Sequence, residues 1–574
     1  MANQNQPSHP TRTDDVEGYT RIKNIYIRLR DGVELCADVF LPFSASKQGA
    51  KVPAILSLGP YGKDIHVLDF GLPKTTMYID MYKQIEPVGP DGCFELVDPI
   101  LWTKEYGYAL VRVDARGIGG SQGRLDPFGM ERSLLIQADA EGQDLYDVIE
   151  WAGTRSWSSG KVALSGISYY GMSGYWAAMQ RPPHLSAVIS YEASVDLYQA
   201  ARKGGILGAN FQIHWYNNIV LPYQCGSKTL SATELAANRV DYPALVAQDE
   251  YPDGESWRLL KQLRKLSDIE VPLYISGNWT DSEVHLPGNI LAYRDISSEQ
   301  KWLEMHTGNH LACYYKSEHV ALQKSFLDYF LKGDEESGIL SIPRVRLITH
   351  RGNQTLYREN EITFPPLDAQ NVILHLTPSQ ELSFAEPPGN NKKKFEYAGL
   401  TGTLTFELET LLTEPFEILG TPYVELEVAT EAEDQDIFLT LRAFDSDGKV
   451  FILEGNHSEP NEHFAKGYWR LSHRDEVAAG FGQENGGIPS QPVVSKAPVE
   501  KGRVYNVKIP FLPTAFVLDQ GQKLSLEIGA QDTLSTIPPM RHDGGDREQR
   551  RFGGKNIIYS HGKLVLPRVQ RPLP

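Results

Sequence analysis

The sequence predicts an α/β domain followed by an all-β domain. Three observations carry this. Up to about residue 345, short apolar runs alternate with stretches of helical period, as in a mostly parallel sheet covered by helices on both faces. Beyond that point apolar residues recur with period two between turn signals, as in a sandwich or jelly roll. Between them in importance stands Lys161–Met179, KVALSGISYYGMSGYWAAM, a buried strand, a sharp turn and a helix with Ser168 on the turn. Gly166 leaves the corner free of a side chain, and Gly171, Gly174 and Ala178 give the helix a small face toward the sheet. The pattern departs from the five-residue elbow G-x-S-x-G, because Tyr170 takes the place of the second glycine, which follows at Gly171.

In chain order, residues 1–17 read as a disordered tail. Ile22–Arg30 and Val33–Leu41 are alternating strands joined by Asp31-Gly32, a hairpin signal. Pro53–Leu58 and Tyr108–Asp114 are buried strands, ending at Gly59-Pro60-Tyr61-Gly62 and at a glycine-rich run, Ala115–Gly123. Glu141–Ala152 has helical period, and Ala187–Ser190 is the strand after the Ser168 unit. The alternation stops over residues 196–270, a helix-like, aromatic stretch with Phe211, Trp215, Tyr216 and Tyr223, read as a cap over the site. It resumes with strands Pro272–Ser276 and Lys301–Met305 and helices at Asn289–Arg294 and His319–Leu331. The predicted catalytic domain is therefore 18–195 with 271–345, the cap 196–270 and the β domain 346–574. In the last, Tyr423–Val428, Ile437–Phe444, Val507–Phe511 and Lys523–Ile528 alternate strictly. Asp445–Gly448 is a hairpin turn there, lacking the further acidic ligands of a calcium loop.

Composition excludes several function classes. The 574 residues carry a formal charge of −17, which argues against nucleic acid or an anionic membrane surface as partner. The polar N-terminus has no signal-peptide core and no run reaches membrane-span length, so a cytoplasmic protein is expected. Cys36, Cys93, Cys225 and Cys313 are widely spaced and read as free thiols, with no metal or other cofactor implied. The oligomeric state is not fixed by the sequence, a homodimer being one option.

A serine hydroxyl needs a base, and the base needs an orienting carboxylate. In sheets of this kind both partners follow later strands, at the carboxyl ends where ligands bind. Asp281 follows the strand at Leu273–Ser276, and His306-Thr307-Gly308-Asn309-His310 follows Lys301–Met305. His306 is close enough to the strand to be structural, whereas His310 lies on a glycine-containing loop, so His310 is the expected base. His285, four residues after Asp281, would join His306 and His310 in a metal reading, but no metal-ligand spacing supports one. The backbone N–H of Tyr169 is the expected first oxyanion donor, and the Tyr61 hydroxyl could supply the second.

These residues resemble the cocaine-esterase-like branch of the X-Pro dipeptidyl-peptidase (S15) superfamily, with its α-amino-acid ester hydrolases and glutaryl-7-ACA acylases. The matching segments are Pro60–Lys63, Asp114–Gly123, Gly166–Gly171, Gly277–Asp281, His310, Gly467–Arg474 and Leu518–Ile528. The resemblance implies an α/β-hydrolase domain with an inserted helical cap and a C-terminal jelly roll. It implies Ser168, Asp281 and His310 as triad, Tyr61 and Tyr169 as oxyanion donors, and structural roles for Asp114 and Arg116. The amino-ester branch binds the substrate ammonium with clustered carboxylates. Here Glu283 stands alone beside Val284, and Arg202 occupies another expected carboxylate position, which speaks against that activity. The substrate pocket is expected to include Phe211, Trp215, Tyr216 and Glu283.

The leading expectation is a serine acyl-hydrolase of small-molecule esters or activated amides, working through an acyl-enzyme on Ser168. An acyltransferase or cyclase passing the same acyl group to an acceptor other than water is the first alternative. A dipeptidyl-peptidase-type amidase follows, and a non-catalytic carbohydrate-binding protein is disfavoured by the Ser/Asp/His set.

Overall fold

The computed structural model describes residues 9–70, 81–86, 88–282, 284–361, 363–389, 392–474, 496–542 and 545–573. Its organising element is a mixed sheet. Strands β1 (Arg12–Val16), β2 (Tyr19–Arg28) and β3 (Glu34–Pro42) run antiparallel at one edge. β3 pairs antiparallel with β5 (Ala109–Asp114), which lies parallel to β4 (Val52–Gly59). From β4 the sheet continues in parallel through β6 (Ser158–Ile167), β7 (Leu185–Tyr191) and the strands Leu273–Asn278, Lys301–His306 and Val345–Arg351. β4 is buried along its whole length, as a parallel strand covered on both faces must be. Residues 12–16, inside the segment read as a tail, form β1 instead, because Arg12 to Val16 pair along Lys23 to Tyr19. Residues 1–8 lie outside the described ones.

The C-terminal region is all-β. Its strands pair antiparallel, as in Asp436–Phe444 with Lys523–Gly529 and Tyr423–Thr430 with Tyr505–Pro510, around their own apolar core. The two sheets are continuous, since His350 and Arg351 pair in parallel with Phe516 and Val517. Leu419, Ala515 and Val569 also pack into the core of the first domain.

Residues 196–270 are mostly short helices, with a small hairpin at Arg202–Lys203 and Ile206–Leu207. This hairpin touches the β domain, where the Arg470 N–H donates to the Gly204 carbonyl at 2.8 Å. The fully buried Arg470 guanidinium bonds Asp436 and Asp546 and reaches Glu250 of the cap at 2.9 Å. Its charge is thus shared among carboxylates of both units, which a buried cation requires. Cap and β domain are therefore tied directly to each other.

Candidate active site

β6 ends at Ser168, which stands at φ 53°, ψ −116°, and the helix Tyr169–Met179 begins at the next residue. Such a left-handed corner is costly for a non-glycine residue and recurs where a side chain must be thrust out at the end of a sheet. The missing glycine at position 170 has a structural answer. A Cβ on Gly166 would lie 2.3 Å from Tyr170 Cβ, and one on Gly59 would lie 2.5 Å from Tyr170 Cε1. The two glycines clear the volume that Tyr170 fills. Gly171 faces β7, where a Cβ would meet the Tyr191 carbonyl oxygen at 2.9 Å.

The imidazole that meets Ser168 belongs to His285. Ser168 Oγ lies 3.1 Å from His285 Nε2, and His285 Nδ1 is bonded to Asp281 Oδ2. With Nδ1–H donated to Asp281, Nε2 is free to accept from the hydroxyl. Asp281 and His285 occupy one turn between the strand Leu273–Asn278 and the helix Leu286–Asp295, so five residues deliver both groups. Burial pushes the Asp281 carboxyl up, but the His285 imidazole beside it, with His310 and His457 behind, holds it well below the usual range.

His310, expected as the base, is bonded elsewhere. Its Nδ1 is 2.6 Å from Glu192 Oε2 and its Nε2 is 3.2 Å from Glu95 Oε1. Burial alone would lower its pKa, but the two glutamates raise it well above the ordinary histidine value. Its backbone N–H donates to Asn456 O of the β domain at 2.7 Å. The ring lies nearly parallel to those of His285 and His457, with centroids 5.6 and 6.4 Å away. Burial, then the charge of His310, drives His457 down to about 3. His306 is buried at the strand end, with Nε2 3.2 Å from Glu192 Oε1. The contact of Ser168 with His285 instead of the expected His310 has a geometric cause. The loop carrying His310 is tied to the β domain and to Glu192 at the end of β7, while Asp281 is spanned within its own turn.

Tyr61 sits on the turn after β4, buried, and shares a cavity with Ser168, His285 and His310. Its hydroxyl oxygen accepts from Trp215 Nε1–H at 3.0 Å, which ties the cap to this residue. Tyr169 is the first residue of the helix that follows Ser168. Its N–H opens a helix and has no intrahelical acceptor, while its phenol turns away to Glu141 at 2.7 and 2.8 Å. Phe211 and Trp215 line the cavity, as do Phe94, Ile219, Val284 and Met540. Tyr216 does not line it. Its hydroxyl bonds the Val240 carbonyl and its ring packs on Tyr242 inside the cap. Glu283 lies outside the described residues. Arg202 points to the Ala247 carbonyl at 2.8 Å.

Asp114 accepts from the Lys63 N–H at 2.7 Å, and burial pushes its carboxyl up to about 7. Arg116 is clamped on Asp144 at 2.6 and 2.8 Å. One donor atom each of Glu192, Asp281, His285 and His310 falls within 4.8 Å of the others, but these groups are already taken up as imidazole–carboxylate pairs. Glu304, Cys313 and His319 form a second such group, where Glu304 bonds His319 at 3.2 Å and Arg346 at 3.1 Å. Sequence reasoning did not place Glu95, Glu192 or His457 at this cavity and did not pair His285 with Ser168. Only His285 had a usable signal, its four-residue spacing from Asp281. The others come from unrelated segments of chain.

The fold and this site define a hydrolase of the α/β-hydrolase class. Residues 31–312 match the X-Pro dipeptidyl-peptidase (S15 family) domain and residues 337–564 match the X-Pro dipeptidyl-peptidase C-terminal non-catalytic domain. The chain thus carries the S15 domain followed by the C-terminal domain that accompanies it in X-Pro dipeptidyl-peptidases. It is 22% identical to the cocaine esterase of Rhodococcus sp. (strain MB1 Bresler), covering 90% of this chain and 91% of that one. A putative serine esterase of Mycobacterium bovis is also 22% identical, over 89% of this chain and 90% of that one. The fold matches a CocE/NonD family hydrolase from Staphylococcus aureus with a TM-score of 0.82 at 23% identity, covering 99% of both chains. An α-amino acid ester hydrolase matches with a TM-score of 0.69 at 16% identity, over 99% of this chain and all of that one. Among the described residues no helix is long and apolar enough to cross a membrane.

Proposed function

We propose that this chain hydrolyses small carboxylic esters through an acyl-enzyme on Ser168, with His285 as its base and Asp281 as the carboxylate that orients the base. The observation that carries this reading is the unbroken contact from Ser168 Oγ through His285 Nε2 and Nδ1 to Asp281. Ser168 attacks the ester carbonyl as its proton passes to His285. The imidazolium that forms is stabilised by a carboxylate held ionised well below the usual range. The Tyr61 hydroxyl and the Tyr169 N–H bind the developing oxyanion. The Trp215 Nε1–H that donates to the Tyr61 oxygen holds this side chain in the cavity with Ser168. Collapse releases the alcohol, and water then cleaves the acyl-serine. The cavity wall of Phe94, Phe211, Trp215 and Ile219 supports substrates with apolar groups.

The test is kcat/KM on p-nitrophenyl acetate for Ser168→Ala, His285→Ala and His310→Ala. Ser168→Ala and His285→Ala should lose about 10⁴-fold or more, and His310→Ala far less. Full turnover in Ser168→Ala would end the serine-hydrolase reading. Loss in His310→Ala with His285→Ala near wild type would return the base to His310. Product analysis with added alcohols separates hydrolysis from transfer to another acceptor.

A further inference from the structure

The feature this mechanism leaves unused is the second imidazole–carboxylate pair in the same cavity. His310 Nδ1 meets Glu192 Oε2 at 2.6 Å, the same ring atom facing a carboxylate as in His285 and Asp281. Its Nε2 faces Glu95 Oε1 at the longer distance of 3.2 Å, and the second oxygen of Glu95 is buried without a hydrogen-bond partner among the described residues. Glu95 and His310 both line the cavity that holds Ser168. Both glutamates sit on left-handed backbone, Glu95 at φ 61° and Glu192 at φ 40°. A pair used only to join strands needs no such strain, which collects at functional sites. The rings of His285 and His310 are 16° from parallel with centroids 5.6 Å apart, so the two imidazoles are neighbours in the cavity that holds Ser168.

We propose that Glu192–His310 is a second acid–base pair of this site, with His310 giving a proton to the leaving oxygen and later taking one from the attacking water. This rests on the reading of His285 as the base of Ser168. The glutamates hold His310 as an imidazolium in the resting site, the form the first step needs. In that step the Ser168 proton moves to His285 and the Ser168 Oγ–acyl carbon bond forms. The acyl–oxygen bond to the alcohol then breaks, and the alcohol takes the Nε2 proton of His310 that had rested against Glu95. The acyl-enzyme thus carries His285 protonated and His310 neutral. In the second step water attacks the acyl carbon and its proton returns to His310, while the departing Ser168 oxygen takes back the proton on His285. Both imidazoles end as they began, and Glu192 orients His310 as Asp281 orients His285.

A leaving group that departs without a proton should not need His310, which gives the test. Measure kcat/KM for an acetate ester series from p-nitrophenyl to ethyl with wild type, His310→Gln and Glu192→Gln, and the rate of fluorophosphonate labelling of Ser168 in each. His310→Gln should lose at least ~10²-fold more on the ethyl than on the p-nitrophenyl ester. Its labelling, which expels fluoride, should stay within about threefold of wild type on that basis. Glu192→Gln should follow in the same direction with a smaller loss, which keeps the test valid should His310→Gln fail to fold. Equal losses along the ester series, with labelling retained, overturn this inference and leave the assignment of His285 standing. Labelling abolished in His310→Gln but kept in His285→Gln overturns that assignment, and this inference with it.

Discussion

The two imidazole–carboxylate pairs of this cavity are alike in chemistry and opposite in construction. Asp281 and His285 are four residues apart within one turn, whose backbone closes through the Leu286 N–H donating to the Asp281 carbonyl at 3.1 Å. Glu192 and His310 are 118 residues apart. Their meeting depends on β7, on the strand Lys301–His306 and on the Asn456 carbonyl of the β domain. A local pair costs little loop-closure entropy and keeps its geometry if distant parts of the fold loosen. An assembled pair is correct only when all of its supports are. The comparison teaches that the pair bonded to Ser168 is the locally built one, while the groups around it are shared between domains.

The largest expected effect falls on the local pair. Asp281→Asn should keep the fold but lose about 10⁴-fold in kcat/KM, because the amide cannot hold His285 in the tautomer that accepts from Ser168. Added to His285→Ala it should cost little more, as members of one unit act together. Additive losses in that double variant would break the unit. Next comes Tyr61, proposed above as an oxyanion donor. Tyr61→Phe should lower kcat by about 10²–10³ with KM nearly unchanged, since only the bond to the developing charge is deleted. A kcat within about threefold of wild type, where acylation limits the rate, would leave Tyr61 as cap packing.

The smallest effect concerns Glu141, a buried carboxyl bonded by the Tyr169 phenol instead of an imidazole. Burial pushes it up to about 8, with the Tyr169 hydroxyl opposing. A pKa raised on folding stabilises the protein below the unfolded value, roughly 4.3, and that contribution fades as pH rises through about 8. Glu141→Gln, which cannot ionise, should therefore gain in Tm relative to wild type between pH 5 and pH 9. Parallel Tm–pH curves for the two proteins would contradict the raised pKa. A matching gain in Asp281→Asn is not expected, because the Asp281 pKa is depressed and its stabilising contribution is lost toward acid.

The sequence by itself determined the strands β2 to β7, the serine corner and the change to an all-β domain near residue 345. Each is written in short-range terms: apolar runs, period-two alternation, glycines that open a corner. It also determined that Asp281 stands at the carboxyl end of a parallel strand. It did not determine which histidine turns to Ser168. Loop reach favoured His310, and nothing local says that Glu192 and Glu95 would claim that ring. It placed Tyr216 beside Trp215 in the pocket, whereas Tyr216 faces the cap interior. Only the tertiary structure decided that the β domain brings Asn456 and His457 to the cavity, and that Gly59, more than a hundred residues away, makes room for Tyr170. The physical reason is the same in each case. Backbone preference and apolar period act over a few residues, whereas the partner of a buried charge is set by which distant segments the packed sheets carry to the same point.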